Sequence, residues 1–450
     1  LNSFTRMINN IQQQVKGFIK RYQDNTFLKR FSTVLIIDIF VKLSGFVLLP
    51  VYLRLMSQDE FGLYNYILSI LNTFSLVLNF GLYIPLTKFY HDSKDPQERG
   101  TLLYTLWITL VITMCLTLIP LYFFKIDYWF INLLFQNPID YQSYRFVIFF
   151  SLLATIFSFM LTSYFYSAER IGLIKKYNIA RIIAINIFVV GALYFIPGDK
   201  ANTRLIFTYA IEFILFCLFL RFLVKKFVFR FDKNIAIKSL KMGFPIMLSA
   251  IMGIIINFSD KFFLERYGDF TALSQYYLAI SFSGIIMVIF NSVQNAWLPL
   301  FMKEKNLKTN LAKTNQLFKK LLIVFTGIGI AIWLLFFTLL QIEIIPAKYT
   351  EALYILPILL VTNIFAALTP ILSNYMIYFQ KTYIVSIAGL FVCVISLLSS
   401  YFFIRRWNIY GAALASLISG VSYLLIYYII VKSLAKKHLV LNQNSKITVT

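Results

Sequence analysis

Three charged residues stand inside long apolar stretches of this sequence. A charge at the centre of a bilayer costs ~2.5–3.5 kcal/mol on insertion scales, so it should face protein or water. Asp38 and Lys42 are four residues apart and would share one helix face, while Glu212 has no charged neighbour in TYAIEFILFCLF. Lys42 could bind an anion, and either carboxylate could carry a proton or a sodium ion. Alternatively, Asp38 and Lys42 form a structural ion pair and Glu212 is buried in its neutral form.

A second group of charges lies at the ends of two apolar runs. Arg54 is at the outer end of the first run, and Asp260, Lys261, Glu265 and Arg266 are at the outer end of the seventh. A guanidinium can donate two parallel hydrogen bonds, which suits a pyrophosphate. The same residues could instead close an outer mouth through salt bridges. Two further basic candidates, which either reach lipid headgroups or contact a substrate, are Lys88 and Arg145.

The composition indicates a membrane protein. Hydrophobic residues make up 59% of the 450, charged residues 14%, and the mean hydropathy is +0.75, which excludes a soluble enzyme. Runs of about 20 apolar residues each suffice to cross a bilayer as a helix. We therefore predict an all-α polytopic membrane protein of about twelve transmembrane helices. The predicted spans are 31–53, 61–85, 102–124, 146–167, 177–197, 203–223, 243–263, 273–297, 320–341, 351–372, 382–404 and 409–431.

The residue types that most often hold metals or form disulfides are few and scattered. Cys115, Cys217 and Cys393 each lie in an apolar run, at spacings that match neither a disulfide framework nor a zinc site. His91 and His438 lie outside the runs and far apart. The sequence has no Walker A motif. We expect no metal, no cofactor and no enzyme activity, with Na⁺ or H⁺ as the candidate coupling ion.

Basic residues are distributed unequally between the two sides of the predicted membrane. The termini and even-numbered connectors hold 31 of the 42 Lys and Arg residues, and the odd-numbered connectors hold 10. Because cytoplasmic loops retain basic residues, both termini are predicted inside. The net charge of +23 then indicates contact with anionic headgroups rather than with nucleic acid. The basic stretch 300–320 is predicted to be a surface helix between spans 8 and 9.

The spans form two sets of six that repeat with one offset. Tyr64 in LYNYILS and Tyr276 in QYYLAIS are separated by the same offset as Phe31 and Gly243, where spans 1 and 7 begin. Six is an even number, so the two halves share one orientation, and a binding site would lie between them. The predicted domains are a basic leader (1–30), an N-terminal lobe (31–224), a linker (225–242), a C-terminal lobe (243–432) and a cytoplasmic tail (433–450).

Three segments carry a resemblance to a known family. They are LPVYLRLMSQDEFGLY at 49–64, GLYIPLTKFY at 81–90 and FPIMLSAIMGIIINFSDKFFLERYGD at 244–269. Together they resemble the polysaccharide flippases of the Wzx type, which share the MOP superfamily with MATE drug exporters and lipid II flippases. The resemblance implies two parallel six-helix lobes around a central cavity. Lipid II flippases usually have fourteen spans, so the twelve predicted here favour the polysaccharide branch.

The resemblance also implies a function. The expected activity is transfer of undecaprenyl-pyrophosphate-linked oligosaccharide across the bacterial cytoplasmic membrane by alternating access, for O-antigen, capsule or exopolysaccharide synthesis. Expected partners are this lipid-linked substrate, membrane lipids, and the polymerase and chain-length regulator of the pathway. The candidate substrate contacts are Lys42, Arg54, Lys88, Arg145, Lys261 and Arg266, and the candidate ion-coupling or gating residues are Asp38, Glu212 and Asp260.

Two alternatives remain at this stage. A MATE-type exporter of organic cations should have a net acidic cavity, whereas the matched segments carry Arg and Lys beside Asp. A polysaccharide polymerase or glycosyltransferase needs a large outside loop for its acceptor. The longest predicted outside connector, 125–145, is too short for that role.

Overall fold

The computed structural model describes residues 45–381 and 383–447, and over these ranges the chain forms helices and no strands. Asp38 and Lys42 lie outside the described residues. The helices are α1 (Gly45–Leu55), α2 (Gln58–Leu78), α3 (Tyr83–Asp92), α4 (Pro96–Phe123), α5 (Ile126–Leu134), α6 (Tyr141–Ser167), α7 (Ile171–Phe195), α8 (Lys200–Val224), α9 (Lys233–Tyr267), α10 (Phe270–Ser283), α11 (Ile285–Lys303), α12 (Leu307–Gln341), α13 (Thr350–Tyr378) and α14 (Tyr383–Ile447), with a 3₁₀ turn at Ala347–Tyr349 before α13.

The long apolar helices match the predicted spans. Within the described residues, ten helical stretches are long and apolar enough to cross a membrane. The last of them, α14, is bent at Asn408, whose backbone is non-helical (φ 47°, ψ −122°), and so supplies the eleventh and twelfth predicted spans. The short apolar helix α1 coincides with the end of the first predicted span. The predicted all-helical, polytopic fold is thus confirmed.

Helix starts coincide with short polar side chains that satisfy free backbone amides. Ser57 accepts a hydrogen bond from the amide of Glu60, whose carboxylate accepts one from the Ser57 amide, so the two form a capping box at the start of α2. At the start of α10, the Asp269 side chain accepts a hydrogen bond from the amide of Ala272, which is a simple N-cap. The caps of α4, α8, α9 and α12 are Asp95, Asp199, Asp232 and Asn306.

The two halves of the chain repeat one order of helices. In the repeat, α2 corresponds to α10, α4 to α12, α6 to α13 and α7 to α14, and the starts of each pair are separated by nearly the same offset. Asp59 of α2 and Thr271 of α10 are equivalent positions, at a separation of 212 in residue number. Equal helix order at a near-constant offset is what an internal duplication produces. We call 45–224 the N-terminal half and 233–447 the C-terminal half.

The halves pack against each other mainly through α2 and α10. A Cβ atom on Gly62 would lie 1.9 Å from the carbonyl oxygen of Phe270, so only glycine permits this close approach. The ring of buried Tyr66 stacks on Phe258 of α9, with ring centroids 5.6 Å apart. The α2 helix is therefore the element of the N-terminal half that contacts the C-terminal half most closely.

The second predicted span is interrupted. Residues Phe80 and Gly81 have left-handed backbones (φ 51° and 66°), which ends α2 before α3 begins. The Asn79 side chain stabilises the turn by accepting a hydrogen bond from the Gly81 amide. A Cβ atom on Gly81 would lie 2.4 Å from the carbonyl oxygen of Gly243, so the halves are also in backbone contact here.

Two connectors differ from expectation. The surface helix predicted at 300–320 is wrong, because α11 continues to Lys303 and, after the cap at Asn306, α12 runs unbroken to Gln341. No proline or glycine stands between Leu307 and Thr326 to end the helix sooner. The linker predicted at 225–242 is non-helical only as far as Asp232, since α9 begins at Lys233.

Candidate functional site

A cavity of about 460 Å³ lies between the two halves. Its described walls come from α1, α2, α7 and α8 of the N-terminal half and from α10 and α11 of the C-terminal half. We call it the central cavity. Most of its lining is apolar or aromatic, and the polar side chains that line it are Asn65, Asn186, Arg204, Thr208 and Ser281.

Arg204 supplies the positive charge of the described cavity lining. Its guanidinium carbon lies 3.7 Å from the ring centre of Tyr52 and 3.9 Å from that of Tyr64, so both faces of the plane are covered. One amino group donates to the Met56 sulfur at 3.5 Å. Among the described residues, no carboxylate lies within ion-pair distance of Arg204.

This geometry leaves the edge of the guanidinium as its binding surface. Cation–π contacts stabilise the charge without consuming the N–H donors. A planar fork of donors matches two oxygens of a phosphate, and the matching interaction is strong in a site with little water. The central cavity is thus suited to an anionic group that is not already paired with a cation.

Sequence reasoning missed Arg204, although a signal was present. Arg204, Thr208 and Glu212 recur every four residues and share one face of α8. Once Glu212 is recognised as an intramembrane charge, the positions one and two turns before it become candidates. The tyrosines that hold Arg204 come from α1 and α2, which are remote from α8 in the sequence, and no local pattern identifies them.

Glu212 has a partner on the neighbouring helix. Arg181 of α7 donates to its carboxylate at 3.3 Å, and the side chains are 35% and 11% exposed for Arg181 and Glu212, respectively. The pair lies about 12 Å along α8 from Arg204, at ~1.5 Å rise per residue. Arg181 stands in the middle of α7 rather than at an end of the helix, and it is paired there.

Asp260 and Lys261 line a second cavity, of about 500 Å³, enclosed by α9, α10, α13 and α14. We call it the C-half cavity. The Lys261 ammonium lies 2.9 and 3.1 Å from the two Asp260 oxygens. Tyr276 and Ser416 also donate to this carboxylate, at 2.6 and 3.0 Å. Asp260 and Lys261 therefore form a neutral pair inside the C-terminal half.

Arg54 marks an end of the molecule where the halves are tied together, which we call the Arg54 end. Its guanidinium donates to the carbonyl of Glu343 at 2.7 Å, and the Lys348 ammonium donates to the carbonyl of Met56 at 2.9 Å. Thr271 donates to Asp59 at 2.5 Å. These bonds join the N-terminal half to the C-terminal half, so this end of the central cavity is closed.

Within the described residues, Arg54 forms no ion pair with the charged residues at 260–266. Glu265 instead accepts hydrogen bonds from the backbone amides of Gln136 and Asn137, between 2.8 and 2.9 Å. This is another bond between the halves at the Arg54 end. Arg266, one residue later, is exposed.

Two other predicted contacts lie away from both cavities. Arg145 pairs with Asp127 at 2.6 Å and stacks on the ring of Tyr122, and the Tyr141 hydroxyl also donates to Asp127. These residues fasten α5 against α6. Lys88 is exposed on α3.

The thiols of the described chain are all free. Cys115 and Cys217 are exposed and Cys393 is buried. The described residues contain no cluster of three metal-ligating side chains. The charged and polar groups of the two cavities are therefore the candidates for ligand binding.

Comparison with known proteins gives the family. The profile of the family described as polysaccharide biosynthesis protein matches residues 27–305. No curated protein matches the chain by sequence. The structure of lipid II flippase MurJ in an inward closed conformation superposes with a TM-score of 0.70 at 18% identity, covering 88% of this chain and 87% of that one.

Two conformations of a multidrug resistance MATE family transporter of the MOP superfamily also match. The inward-facing one has a TM-score of 0.72 at 12% identity over 90% of this chain and 98% of the other. The outward-facing one has a TM-score of 0.60 at 12% identity over 91% and 95%. Fold and cavity thus define a multi-pass membrane protein with the fold of the MOP transporters.

The chain belongs to the polysaccharide biosynthesis protein family, whose profile covers more than half of it. This confirms the resemblance to Wzx-type flippases found in the sequence. The related structures are transporters rather than enzymes. At this level the chain is a multi-pass member of a polysaccharide biosynthesis family.

Proposed function

We propose that the chain is a flippase for undecaprenyl-pyrophosphate-linked oligosaccharide, serving O-antigen, capsule or exopolysaccharide synthesis. The observation that carries this proposal is Arg204, a guanidinium held between two tyrosine rings in the cavity between the halves. Its free edge suits the pyrophosphate. The aromatic rings and amide groups around it suit sugars, and the family supplies the polysaccharide pathway.

The transport cycle follows from the closed Arg54 end. We place both termini in the cytoplasm of a bacterial cell, on the distribution of basic residues. The Arg54 end then faces outward, and it is closed in the described conformation. The pyrophosphate binds Arg204 while the prenyl tail stays in lipid, and rocking of the halves then exposes the head group outside.

Glu212 and Asp260 are the described candidates for coupling to a Na⁺ or H⁺ gradient. Glu212 is buried in a membrane-spanning helix and forms an ion pair with Arg181. Asp260 already has a lysine partner. Asp38 and Lys42 remain candidates from the sequence for the same roles. The polymerase and the chain-length regulator of the pathway are the proposed partners outside the membrane lipids.

The experiment is genetic and biochemical. The gene is deleted in its native host, and lipid-linked oligosaccharide is assayed by leaflet together with surface polysaccharide. We expect intermediates to accumulate on the inner leaflet, and a plasmid copy to restore both. A copy with Arg204→Ala should be present in the membrane at normal level and fail to restore them. Unchanged glycan in the deletion strain would refute the proposal.

A MATE-type exporter is the competing class. Organic cations need a net acidic cavity, whereas the described lining of the central cavity contains one arginine and no carboxylate. Altered tolerance to cationic drugs in the deletion strain, with normal surface polysaccharide, would favour that class instead.

A further inference from the structure

The C-half cavity adjoins the central cavity. Ile280 of α10 lines both, Tyr276 one turn before it faces the C-half cavity, and Ser281 after it faces the central cavity. One helix thus forms the partition between the two spaces. A volume of about 500 Å³ is within the range of small-molecule sites, ~300–1,000 Å³. It greatly exceeds the room that a single ion needs.

The charges of the C-half cavity cancel within the protein. Asp260 is 7% exposed and receives hydrogen bonds from Lys261, Tyr276 and Ser416. The Lys261 ammonium donates hydrogen bonds to the Asp260 carboxylate and to the carbonyl of Asn257. The other described lining residues are uncharged. A ligand there meets no unbalanced charge, which disfavours both a bare cation and a phosphate.

Several of the remaining polar groups of the lining present acceptors, because their own hydrogens are already donated. Thr362, Thr369 and Ser419 each donate their hydroxyl hydrogen to a carbonyl of their own helix. The amide nitrogen of Asn257 likewise donates to the carbonyl of Gly253. A hydroxyl that has donated still offers its lone pairs. These groups can therefore accept hydrogen bonds from a ligand, and a polyol has many hydroxyl groups that donate them.

Aromatic rings complete the lining. Tyr423 and Tyr427 of α14 pack with ring centroids 5.3 Å apart, and Tyr276 of α10 lines the same cavity. Ring faces of tyrosine pack well against the apolar faces of sugar rings, while their hydroxyls remain polar. Neutral charge, exposed acceptors and aromatic faces together describe a site for a carbohydrate.

We infer that the C-half cavity holds a neutral sugar residue of the lipid-linked glycan while Arg204 holds the pyrophosphate in the adjoining space. The inference rests on the proposed function, because it takes the ligand to be one molecule with an anionic and a sugar part. The C-terminal half then recognises the glycan. The N-terminal half recognises the pyrophosphate of the lipid carrier, which all such glycans share.

The test compares two probes on the purified full chain in nanodiscs. One is undecaprenyl pyrophosphate, and the other is the glycosylated lipid extracted from the deletion host. Ala366 of α13 lines the C-half cavity, so Ala366→Phe fills it, while Val361→Phe adds a ring at a 40%-exposed position of the same helix. Thr362→Val keeps the shape of the lining and removes one oxygen.

We expect the wild type to bind the glycosylated lipid about tenfold more tightly than the bare one, as one or two hydrogen bonds provide. Ala366→Phe should remove this preference and leave binding of the bare lipid unchanged. Thr362→Val should reduce the preference roughly threefold. Val361→Phe should behave as wild type, and Arg204→Ala should weaken both lipids alike.

Other outcomes overturn the inference in distinguishable ways. If Arg204→Ala weakens both lipids but Ala366→Phe and Thr362→Val keep the preference, the sugar binds elsewhere and the flippase proposal stands. If neither lipid binds, or Arg204→Ala has no effect on either, both proposals fall. If NaCl, compared with KCl, raises the melting temperature of the wild type but not of Asp260→Asn, the cavity is a cation site instead.

Discussion

Tyr64 and Tyr276 occupy the same position of the internal repeat, and each lines a different cavity. The Tyr64 ring covers one face of the Arg204 guanidinium at 3.9 Å. The Tyr276 hydroxyl donates to the Asp260 carboxylate at 2.6 Å. One aromatic position thus supports a cation through its ring in one half and an anion through its hydroxyl in the other.

Arg204 should be indispensable for transport by its geometry as well as its charge. Replacing it with Ala removes a charge-assisted bidentate contact, and we expect at least about tenfold slower flipping of lipid-linked oligosaccharide in proteoliposomes. Arg204→Lys should recover only part of the rate, because an ammonium is not planar. Arg406→Ala is the matched control, since Arg406 is exposed and lines neither cavity. Equal rates for Arg204→Ala and Arg406→Ala would contradict the assignment.

Tyr64 should act through its ring. Tyr64→Phe keeps the cation–π contact with Arg204, so its flipping rate should stay near that of the wild type. Tyr64→Leu loses a contact of ~0.5–2 kcal/mol and should raise the apparent KM several-fold. The same pair of substitutions at Tyr52 should give the same order of effects. A Phe variant as impaired as the Leu variant would assign the role to the hydroxyl instead.

The Arg54 end should have to open in each cycle. Asp59 and Thr271 touch across the halves, so cysteines at both positions should cross-link under mild oxidation. The background has Cys115, Cys217 and Cys393 replaced. Cross-linked protein should not flip substrate, and reduction should restore the rate. The single-cysteine variants are the controls, and full activity of the cross-linked protein would refute alternating access through this end.

Arg145 should contribute to stability rather than to substrate binding. Its pair with Asp127 is largely buried, with side chains 12% and 6% exposed. Asp127→Ala leaves buried partners unsatisfied and should cost about 1–3 kcal/mol, measured as a lower melting temperature in detergent. Arg145→Ala should behave similarly, and the double variant should cost less than the sum. Lys313→Ala, which breaks an exposed pair with Glu304, should change nothing measurable. Weakened substrate binding by Arg145→Ala at normal stability would restore the sequence-based assignment.

Glu212 should carry any dependence on a proton gradient. Gln can still accept a hydrogen bond from Arg181 but cannot release a proton. If protons drive transport, the wild type should be accelerated by an imposed pH gradient and Glu212→Gln should not be. Glu351→Gln, at an exposed carboxylate of α13, is the control. Acceleration of Glu212→Gln equal to that of wild type would move coupling to another carboxylate.

The spans could be predicted because hydropathy is a local property. Each of the twelve apolar runs can be recognised in a window of about 20 residues. Comparing the positions of the runs then gives their common offset. The break after Asn79 escapes prediction for the same reason. The mean hydropathy over 61–85 does not reveal that two residues, Phe80 and Gly81, have left-handed backbones. The glycine is the one local sign of a break.

The site could be predicted only where charge was conspicuous. Glu212 and Asp260 stand out among apolar residues, and both line or adjoin buried polar clusters. Arg204 stands near a span end, where basic residues are common, and its importance depends on tyrosines from two distant helices. Such pairings are set by tertiary packing, which a single sequence does not encode in any short pattern.

The bond between Thr271 and Asp59 has a historical consequence. Its two residues are equivalent in the repeat, so they meet where the axis relating the halves passes between α2 and α10. In an ancestral pair of identical six-helix chains, this position would have faced its own copy. Two aspartates in that place would repel each other. Once the gene had duplicated, one copy could keep a carboxylate while the other acquired its donor.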